Sequence, residues 1–288
     1  MTYPVLDDLT RSDVAAVHRL AAAATAADGV APLNEASLLR LDSPQSARHL
    51  FLREGADVLA YAQLAPAATG ELVVHPDARR AGRGTTVLTA LLDGAPAPLS
   101  LWAHGDLPAA AALARSHGMH RSRELWQLRR PLDGTLPAAR WPDGVTVRTY
   151  EPGRDDAAWL AVNADAFADH PEQGRTTQAD LEARTAAAWF DPAGFFLAER
   201  DGALVGFHWT KVHADPSPAG EIYVVGVASS AQGSGLGRAL SLHGLHHLDA
   251  AGLPEALLHV EADNAPAVAM YERLGFTGAF VDVTYTAG

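Results

Sequence analysis

Two glycine-rich segments of one pattern are the first residues in the sequence whose types and spacing point to chemistry. One reads Arg79-Arg-Ala-Gly-Arg-Gly84 and the other Gln232-Gly-Ser-Gly-Leu-Gly237. Backbone N–H groups that converge at the start of a helix bind phosphate, and glycines let a phosphate approach the backbone closely. Both segments therefore predict a phosphate-bearing small ligand. No Gly-Lys-Ser/Thr follows, which excludes a P-loop, and the second segment lies too far into its half for a dinucleotide-binding fold.

The two segments belong to a larger internal repeat. Val74 and Val227 precede them at an offset of 153 residues (227 − 74). A second similar pair, Leu113-Ala-Arg-Ser-His-Gly-Met119 and Met270-Tyr-Glu-Arg-Leu-Gly-Phe276, follows at an offset of 157 (270 − 113). A duplicated domain is the simplest explanation. Prolines and glycines concentrated between residues 130 and 144 predict a connection, so we expect domains at 1–135 and 145–288 and a linker at 136–144.

The elements that must position these segments follow in a clear order in the second half. Alternating and β-branched runs predict strands, whereas apolar residues at helical spacing predict helices. The predicted strands are 145–150, 195–200, 204–213, 221–227, 256–260 and 279–286, with an Asp201-Gly202 turn between the second and third. The predicted helices are 155–167, 177–189, 235–250 and 265–274. The predicted fold class is α/β, with two tandem domains that each have a mixed central sheet flanked by helices.

The composition of the 288 residues excludes several classes of protein. With 48% hydrophobic and 19% charged residues the chain is not disordered, and it has no apolar run near the ~20 residues of a membrane span. A net charge of −12 argues against nucleic acid, and the absence of cysteine excludes disulfides and thiolate metal sites. We expect a cytoplasmic monomer with no membrane partner and no metal. The trio His243, His246 and His247 has metal-like spacing, but we expect it to form a solvated helix face.

Both glycine-rich segments resemble the pyrophosphate loop of the GCN5-related N-acetyltransferases, Arg/Gln-x-x-Gly-x-Gly/Ala. The segment Asn264…Tyr271-x-x-x-Gly275-Phe276 resembles the downstream element of the same family. Six further blocks are together similar to the mycothiol synthase family: Ala-Asp-Gly-Val-Ala-Pro32, Glu-Leu-Val-Val-His-Pro76, Leu-Trp-Ala-His-Gly105, Ala-Phe-Ala-Asp-His-Pro-Glu-Gln-Gly174, Ala-Trp-Phe-Asp-Pro192 and Gly-Phe-His-Trp-Thr-Lys-Val-His213. The resemblance implies acetyl transfer from acetyl-CoA to a small-molecule amine. That amine is the cysteinyl amine of 1D-myo-inositol 2-(L-cysteinylamino)-2-deoxy-α-D-glucopyranoside, and the products are mycothiol and CoA.

The resemblance places acetyl-CoA contacts in both halves. In the second half they form a strand edge, the loop and a helix start: Val225, Gly226, Val227, Gln232, Gly233, Ser234, Gly235, Leu236, Gly237 and Arg238. The pantetheine arm and thioester would lie beside Asn264, Ala265, Pro266, Ala267, Val268 and Ala269. In the first half the matching residues are Leu72, Val73, Val74, Arg79, Gly82 and Gly84. We expect Gly226 to ease a bulge in its strand.

Catalysis is assigned to two side chains of the second half. The resemblance makes Tyr271 the general acid that protonates the departing thiolate. Glu221, at the start of the central strand, could attract the substrate ammonium and accept its proton through water. Ala114 and Leu107 occupy the positions of Tyr271 and Asn264 in the first half. We therefore expect the first half to bind acetyl-CoA through its loop but to be inactive.

Substrate binding is assigned by the same resemblance to five residues: Glu35, Glu172, Lys211, Glu221 and His259. His259 is a departure, since a tyrosine is expected at this position, so we expect an altered contact there. Direct attack by the amine in a ternary complex fits a chain without cysteine. Two alternatives stay open. One is a tandem acetyltransferase acting on another amine, such as an aminoglycoside or a peptide, and the other is a non-catalytic acyl-CoA-binding sensor.

Overall fold

The computed structural model describes residues 5–6, 9–42, 47–66, 68–94, 98–168, 173–213 and 218–288 of the chain. They group into two units. Unit 1 comprises Met1–Trp126, Glu261–Asp263 and Phe280–Gly288, and unit 2 comprises Gln127–Val260 and Asn264–Ala279. The last residues of the sequence therefore belong to unit 1.

Unit 1 is a mixed sheet with helices packed on it. Its strands are β1 (Val5–Leu6), β2 (Arg48–Glu54), β3 (Asp57–Leu64), β4 (Thr69–Val74), β5 (Ser100–Ala103) and the first part of β6 (His120–Pro131). Its helices are α1 (Arg11–Asp28), α2 (Glu35–Asp42), α3 (Arg83–Gly94) and α4 (Pro108–Ser116). Neighbours from β1 to β4 pair antiparallel, and β4 then pairs in parallel with β5. Buried apolar residues of α3, α4 and the sheet form one core, which includes Val87, Leu88 and Leu101.

Unit 2 repeats this arrangement of a mixed sheet with helices packed on it. Its strands are β7 (Val145–Thr149), β8 (Phe195–Arg200), β9 (Ala203–His213), β10 (Ala219–Val227) and β11 (Glu255–Glu261), together with the last part of β6 and the first part of β12 (Thr277–Thr286). The rest of β12 belongs to unit 1, where it pairs with β5. Its helices are α5 (Asp156–Ala166), α6 (Gln178–Thr185), α7 (Leu236–Ala250) and α8 (Ala265–Arg273). One face of the sheet carries an aromatic core in which Phe195 and Trp209 stack at 4.4 Å. Gly220 faces the other side, where an added Cβ would lie 2.7 Å from Leu248 of α7.

The predicted fold class is confirmed, and the predicted elements of unit 2 all exist with ends shifted by a few residues. The Asp201-Gly202 turn is confirmed by φ angles of 53° and 77°, the left-handed pair that a two-residue hairpin turn needs. One predicted helix end is wrong, because α6 ends at Thr185 rather than at 189. The chain leaves the helix so that Trp189 and Phe190 can each pack on Trp209, at ring separations of 5.7 Å.

A parallel pair of strands with only a short stretch of pairing occurs in each unit. In unit 2, β10 and β11 are in register from Gly220 opposite Ala256 to residue 222 opposite residue 258. In unit 1, β4 and β5 are in register at Thr69 and Gly70. A β-bulge shifts β10 between Ile222 and Val224, just where this pairing stops. The expected bulge at Gly226 is therefore wrong, and Gly226 instead packs against Phe207, whose ring lies 2.4 Å from an added Cβ.

Candidate active site and cofactor sites

The glycine-rich loop of unit 2 leads directly into α7. Gly233 and Gly235 have φ angles of 75° and 86°, and an added Cβ at either would meet nothing within 4 Å. Helix α7 begins at Leu236, and no side chain caps the N–H groups of its first turn. A loop with an open side and uncapped helical N–H groups fits the pyrophosphate of a CoA thioester. The Leu236 side chain is buried, so only its backbone can meet a ligand, whereas Arg238 is exposed on the same turn.

The other predicted cofactor residues of unit 2 flank this loop. Residues 225–227 form the end of β10, beyond the bulge. Gln232 holds the loop to that strand, because its Nε2 donates to the Val227 carbonyl at 3.4 Å. Asn264 caps α8 by accepting a hydrogen bond of 3.2 Å from the Ala267 N–H, and residues 265–269 form the first turns of that helix. The structure therefore gives Asn264 the role of a capping residue, and its predicted contact with the cofactor stays a prediction.

Tyr271 lies on α8 and is 8% exposed. Its ring packs edge-on against Phe276 at 5.8 Å. Burial raises the pKa of Tyr271 to about 12, although a hydrogen bond with Ser241 of α7 opposes the shift. The phenol is therefore protonated at neutral pH and can act as a proton donor.

Lys211, Glu221 and His259 lie on one face of the unit 2 sheet. Lys211 on β9 is the cross-strand partner of Glu221 on β10, and Glu221 is in register with Leu257 on β11. His259 stands two residues beyond Leu257, so its side chain leaves the same face. The structure thus brings together three of the five predicted substrate-binding residues on adjacent strands.

Glu221 is bound by two histidines at once. Its Oε2 lies 2.7 Å from Nε2 of His213, and its Oε1 lies 3.1 Å from Nδ1 of His259. Burial alone would raise the pKa of Glu221, but the hydrogen bonds from both histidines outweigh it and lower the pKa to about 2. The carboxylate is therefore ionised at neutral pH and is itself a weak base.

The Lys211 ammonium lies over two aromatic rings. Its Nζ is 4.5 Å from the ring centre of Trp189 and 5.3 Å from that of Tyr223. Cation–π contacts of this kind hold an ammonium in place. Trp189 and Tyr223 are contacts that sequence reasoning did not identify.

The remaining two predicted substrate-binding residues have different positions. Glu35 begins α2 of unit 1 and is half-buried. Its neighbour Asn34 donates its N–H to both carboxylate oxygens of the buried Glu71, at 3.0 and 3.2 Å. Glu172 lies outside the described residues.

Unit 1 contains a cavity of about 520 Å³ beside its glycine-rich loop. All the predicted acetyl-CoA contacts of the first half line it: Leu72, Val73, Val74, Arg79, Gly82 and Gly84. Leu107 and Ala114, which stand at the positions of Asn264 and Tyr271, line it too. The uncrowded Gly82, with a φ of 78°, fits close approach of a phosphate as in unit 2.

Comparison with known proteins identifies the family. The acetyltransferase (GNAT) family matches residues 159–276. A mycothiol acetyltransferase of Thermomonospora curvata is 58% identical, and the match covers 97% of this chain and 95% of the relative. The mycothiol acetyltransferase of Streptomyces coelicolor is 52% identical over 97% of this chain and 93% of its own. The chain belongs to the mycothiol acetyltransferase family.

Solved structures agree with the fold of this member of the mycothiol acetyltransferase family. A tandem GNAT protein from the clavulanic acid biosynthesis pathway gives a TM-score of 0.74 at 21% identity, covering 99% of this chain and 97% of its own. A GCN5-related N-acetyltransferase from Sphaerobacter thermophilus gives 0.68 at 26% identity, covering 97% and 93%. The tandem acetyltransferase fold is therefore confirmed. Within the described ranges, no helix has both the length and the apolar character to cross a membrane.

The histidine trio on α7 differs from expectation. His243 packs edge-on against Phe196 at 4.5 Å and Trp141 at 5.5 Å, and His247 packs against Phe196 at 5.4 Å. His246 lies 3.0 Å from the carbonyl of Pro137. The three are half-buried, so the predicted solvated face is wrong. The histidine rings contact other side chains instead of solvent, because the segment around residues 137–141 covers this part of the helix.

Besides Trp189 and Tyr223, sequence reasoning missed two further groups in this member of the mycothiol acetyltransferase family. His213 ends the segment Gly-Phe-His-Trp-Thr-Lys-Val-His213, and its spacing of two from Lys211 on a strand is the signal that both share a face. The second group is a buried cluster in unit 1. Nε2 of His104 lies 2.7 Å from Glu71, and its Nδ1 lies 3.0 Å from Asp282. No local signal joins residues 71, 104 and 282.

Proposed function

We propose that this chain transfers the acetyl group of acetyl-CoA to the cysteinyl amine of 1D-myo-inositol 2-(L-cysteinylamino)-2-deoxy-α-D-glucopyranoside, giving mycothiol and CoA. One observation carries the proposal. Relatives named mycothiol acetyltransferase are 51% to 58% identical over nearly the whole chain. The two glycine-rich loops also support it, as does the face of the unit 2 sheet that carries Lys211, Glu221 and His259.

In the proposed reaction, unit 2 performs the chemistry. Acetyl-CoA, when bound, supplies an acetyl carbon activated as a thioester. The loop from Gln232 to Gly237 would hold the pyrophosphate, and Tyr271 would give its proton to the sulfur as the C–S bond breaks. The amine nitrogen loses two protons as it becomes an amide: one restores Tyr271, and the other leaves to solvent. Glu221 would supply the negative charge that attracts the ammonium.

Lys211 would act on the sugar part of the substrate. Its aromatic contacts fix the ammonium on the same face as Glu221. A charged donor forms strong hydrogen bonds with hydroxyl groups, which a pseudo-disaccharide carries in number. Lys211 would therefore bind the hydroxyls, and Glu221 the amine.

Unit 1 would bind acetyl-CoA without turning it over. Its cavity keeps the open glycine loop, which supports binding of a pyrophosphate. Ala114 has no proton to donate where unit 2 has Tyr271, so the cavity lacks the matching acid.

The test is an amine panel. Purified protein is incubated with acetyl-CoA and the cysteinyl amine substrate, an aminoglycoside or a peptide, and the acetylated product is measured by mass spectrometry. Free thiol cannot report the reaction here, because the proposed substrate carries its own. An S-methylated form of the substrate shows whether the nitrogen is attacked directly. Acetylation of the S-methylated substrate, well above the other amines, is expected; preferential acetylation of another amine would overturn the proposal.

A further inference from the structure

The orientation of the Gln127 side chain fixes the protonation of His259. Nε of Arg129 donates to Oε1 of Gln127 at 3.0 Å, and Arg129 is itself held by Glu255. Arginine can only donate, so the oxygen of the amide must face it, and the NH2 group must face the other way. That NH2 group lies 3.2 Å from Nε2 of His259. Nε2 of His259 therefore accepts a hydrogen bond and carries a lone pair.

The other nitrogen of the same ring completes the arrangement. With Nε2 unprotonated, the proton of the neutral ring is on Nδ1, which lies 3.1 Å from Oε1 of Glu221. Glu221 thus accepts from His259, as the carboxylate of a catalytic triad accepts from its histidine. A buried carboxylate in this position stabilises the ring when the ring gains a proton. About a third of the His259 side chain is exposed (35%), against 9% for Glu221.

We propose that His259 is the catalytic base that takes the proton of the substrate ammonium at Nε2, and that Glu221 is the positioning residue that holds its tautomer. This deepens the proposed function and rests on it. The N–H bond of the ammonium breaks, its electron pair stays on nitrogen for attack, and the proton moves to Nε2 and later to water. The ammonium would replace the Gln127 NH2 group as the donor to Nε2.

Two properties favour His259 over Glu221 as the proton acceptor. A base works best when its pKa is near the working pH, and a carboxylate whose pKa is about 2 is far from neutrality. Glu221 is also enclosed by His213 and His259, so a substrate would reach the more exposed imidazole first.

The charged and titratable groups around His259 come from four strands. Glu221 lies on β10, with His213 and Lys211 on β9 beside it. The Arg129–Glu255 ion pair joins β6 and β11. Of these groups, Glu221 is the anion in direct contact with the ring.

The test is the pH dependence of kcat/KM for the cysteinyl amine. In wild type kcat/KM should rise with pH to a plateau, because only an unprotonated base can accept the proton of the ammonium. His259→Gln should lower kcat/KM at pH 7 by roughly 10²-fold or more, and the loss should shrink above pH ~8, where free amine is abundant. Imidazole added to His259→Ala should restore part of the rate. His18→Gln, an exposed histidine on α1, is the matched control and should leave the profile unchanged.

Two further variants separate the base from a structural role. Glu221→Gln removes the anion that stabilises protonated His259, so the inflection should move to lower pH. Gln127→Ala removes the donor to Nε2, so the inflection should move to higher pH. A uniform loss at all pH values in His259→Gln, or inflections that stay in place in both other variants, would overturn the proposal. Wild type inactive on this amine would instead refute the proposed function, so the two failures are distinguishable.

Discussion

Asp28 and Arg79 of unit 1 form a bidentate ion pair, in which Nη1 and Nη2 of the arginine each lie 2.7 Å from a carboxylate oxygen. Nε of Arg79 also donates to the Val74 carbonyl at 3.2 Å. Gln232 makes the equivalent contact in unit 2, to the carbonyl of Val227. The first residue of each glycine-rich loop therefore ties the loop to the end of the strand before it.

Loss of this ion pair should loosen the loop of unit 1 alone. We expect Asp28→Ala to weaken acetyl-CoA binding in unit 1 by roughly fivefold, since a partly exposed ion pair contributes up to about 1 kcal/mol. Turnover should not change, because unit 2 would perform the chemistry. Calorimetric titration with acetyl-CoA measures the effect, and Asp77→Ala, whose side chain is almost fully exposed, is the control. Unchanged affinity would show that the pair does not support the loop.

Tyr271→Phe should lower kcat far more than it weakens acetyl-CoA binding. The hydroxyl acts only as the sulfur leaves, so its removal should reduce kcat by roughly 10²–10⁴-fold, as for general acids elsewhere. Stopped-assay turnover and calorimetric binding of acetyl-CoA separate the two effects.

Tyr150→Phe is the control for the Tyr271 variant. Tyr150 lies in the same unit, and its hydroxyl donates to Asp156, the first residue of α5. Its turnover should match wild type. Equal turnover in Tyr271→Phe and wild type would remove Tyr271 from the mechanism.

The sequence patterns that predicted the fold are local ones. The Asp-Gly turn at 201–202 and the strand–loop–helix order around residues 232–237 depend on neighbours in the chain, and the structure contains both. The early end of α6 could not be read in this way. It depends on Trp189 and Phe190 reaching Trp209, a partner about twenty residues away on another strand.

The candidate site was predictable only in part for the same reason. The family resemblance pointed to Glu221 and Lys211, but only strand register shows that they are cross-strand partners. The tautomer of His259 depends on Gln127, which is 132 residues earlier in the chain. Hydrogen bonds between residues so far apart leave no local pattern in the sequence. They can be identified only in the folded sheet.

Bulky substitutions in the two glycine loops should have different effects. Gly82→Trp should abolish acetyl-CoA binding in unit 1 and leave most of the turnover. Gly235→Trp should abolish turnover, because the proposed productive site is in unit 2. Both glycines have positive φ and open space around them, so the substitutions strain the backbone similarly and fill the side that a phosphate would approach.

Calorimetry and turnover together test the pair of loop variants. Wild type should bind acetyl-CoA at two sites and each variant at one, with thermal unfolding of both checked first. If Gly82→Trp abolishes turnover while Gly235→Trp spares it, the active unit has been assigned wrongly.

Gly244→Ala should destabilise unit 2. An added Cβ would lie 2.1 Å from the His208 ring, which is fully buried and held by the Leu240 carbonyl at 2.7 Å. Because the ring cannot move away, overpacking should cost about 1–3 kcal/mol of the free energy of unfolding. Urea unfolding followed by tryptophan fluorescence measures the change, with Gly278→Ala, where an added Cβ meets nothing within 4 Å, as control. Equal midpoints for the two variants would contradict this prediction.

The stability of unit 1 should fall as the pH rises, because His104 then loses its stabilising positive charge. Burial opposes its charge, but the hydrogen bonds to Asp282 and Glu71 outweigh burial and raise the pKa of His104 from 6.5 to about 10. Because the folded-state pKa lies above the unfolded one, the imidazolium contributes its full stabilisation below about pH 6.5, and this is lost as the pH rises towards 10. The melting temperature of unit 1 should therefore fall across that range in calorimetric scans. His104→Gln should remove most of this fall, whereas His18→Gln should keep it, and a His104→Gln curve parallel to wild type would show that the cluster does not set the pH dependence.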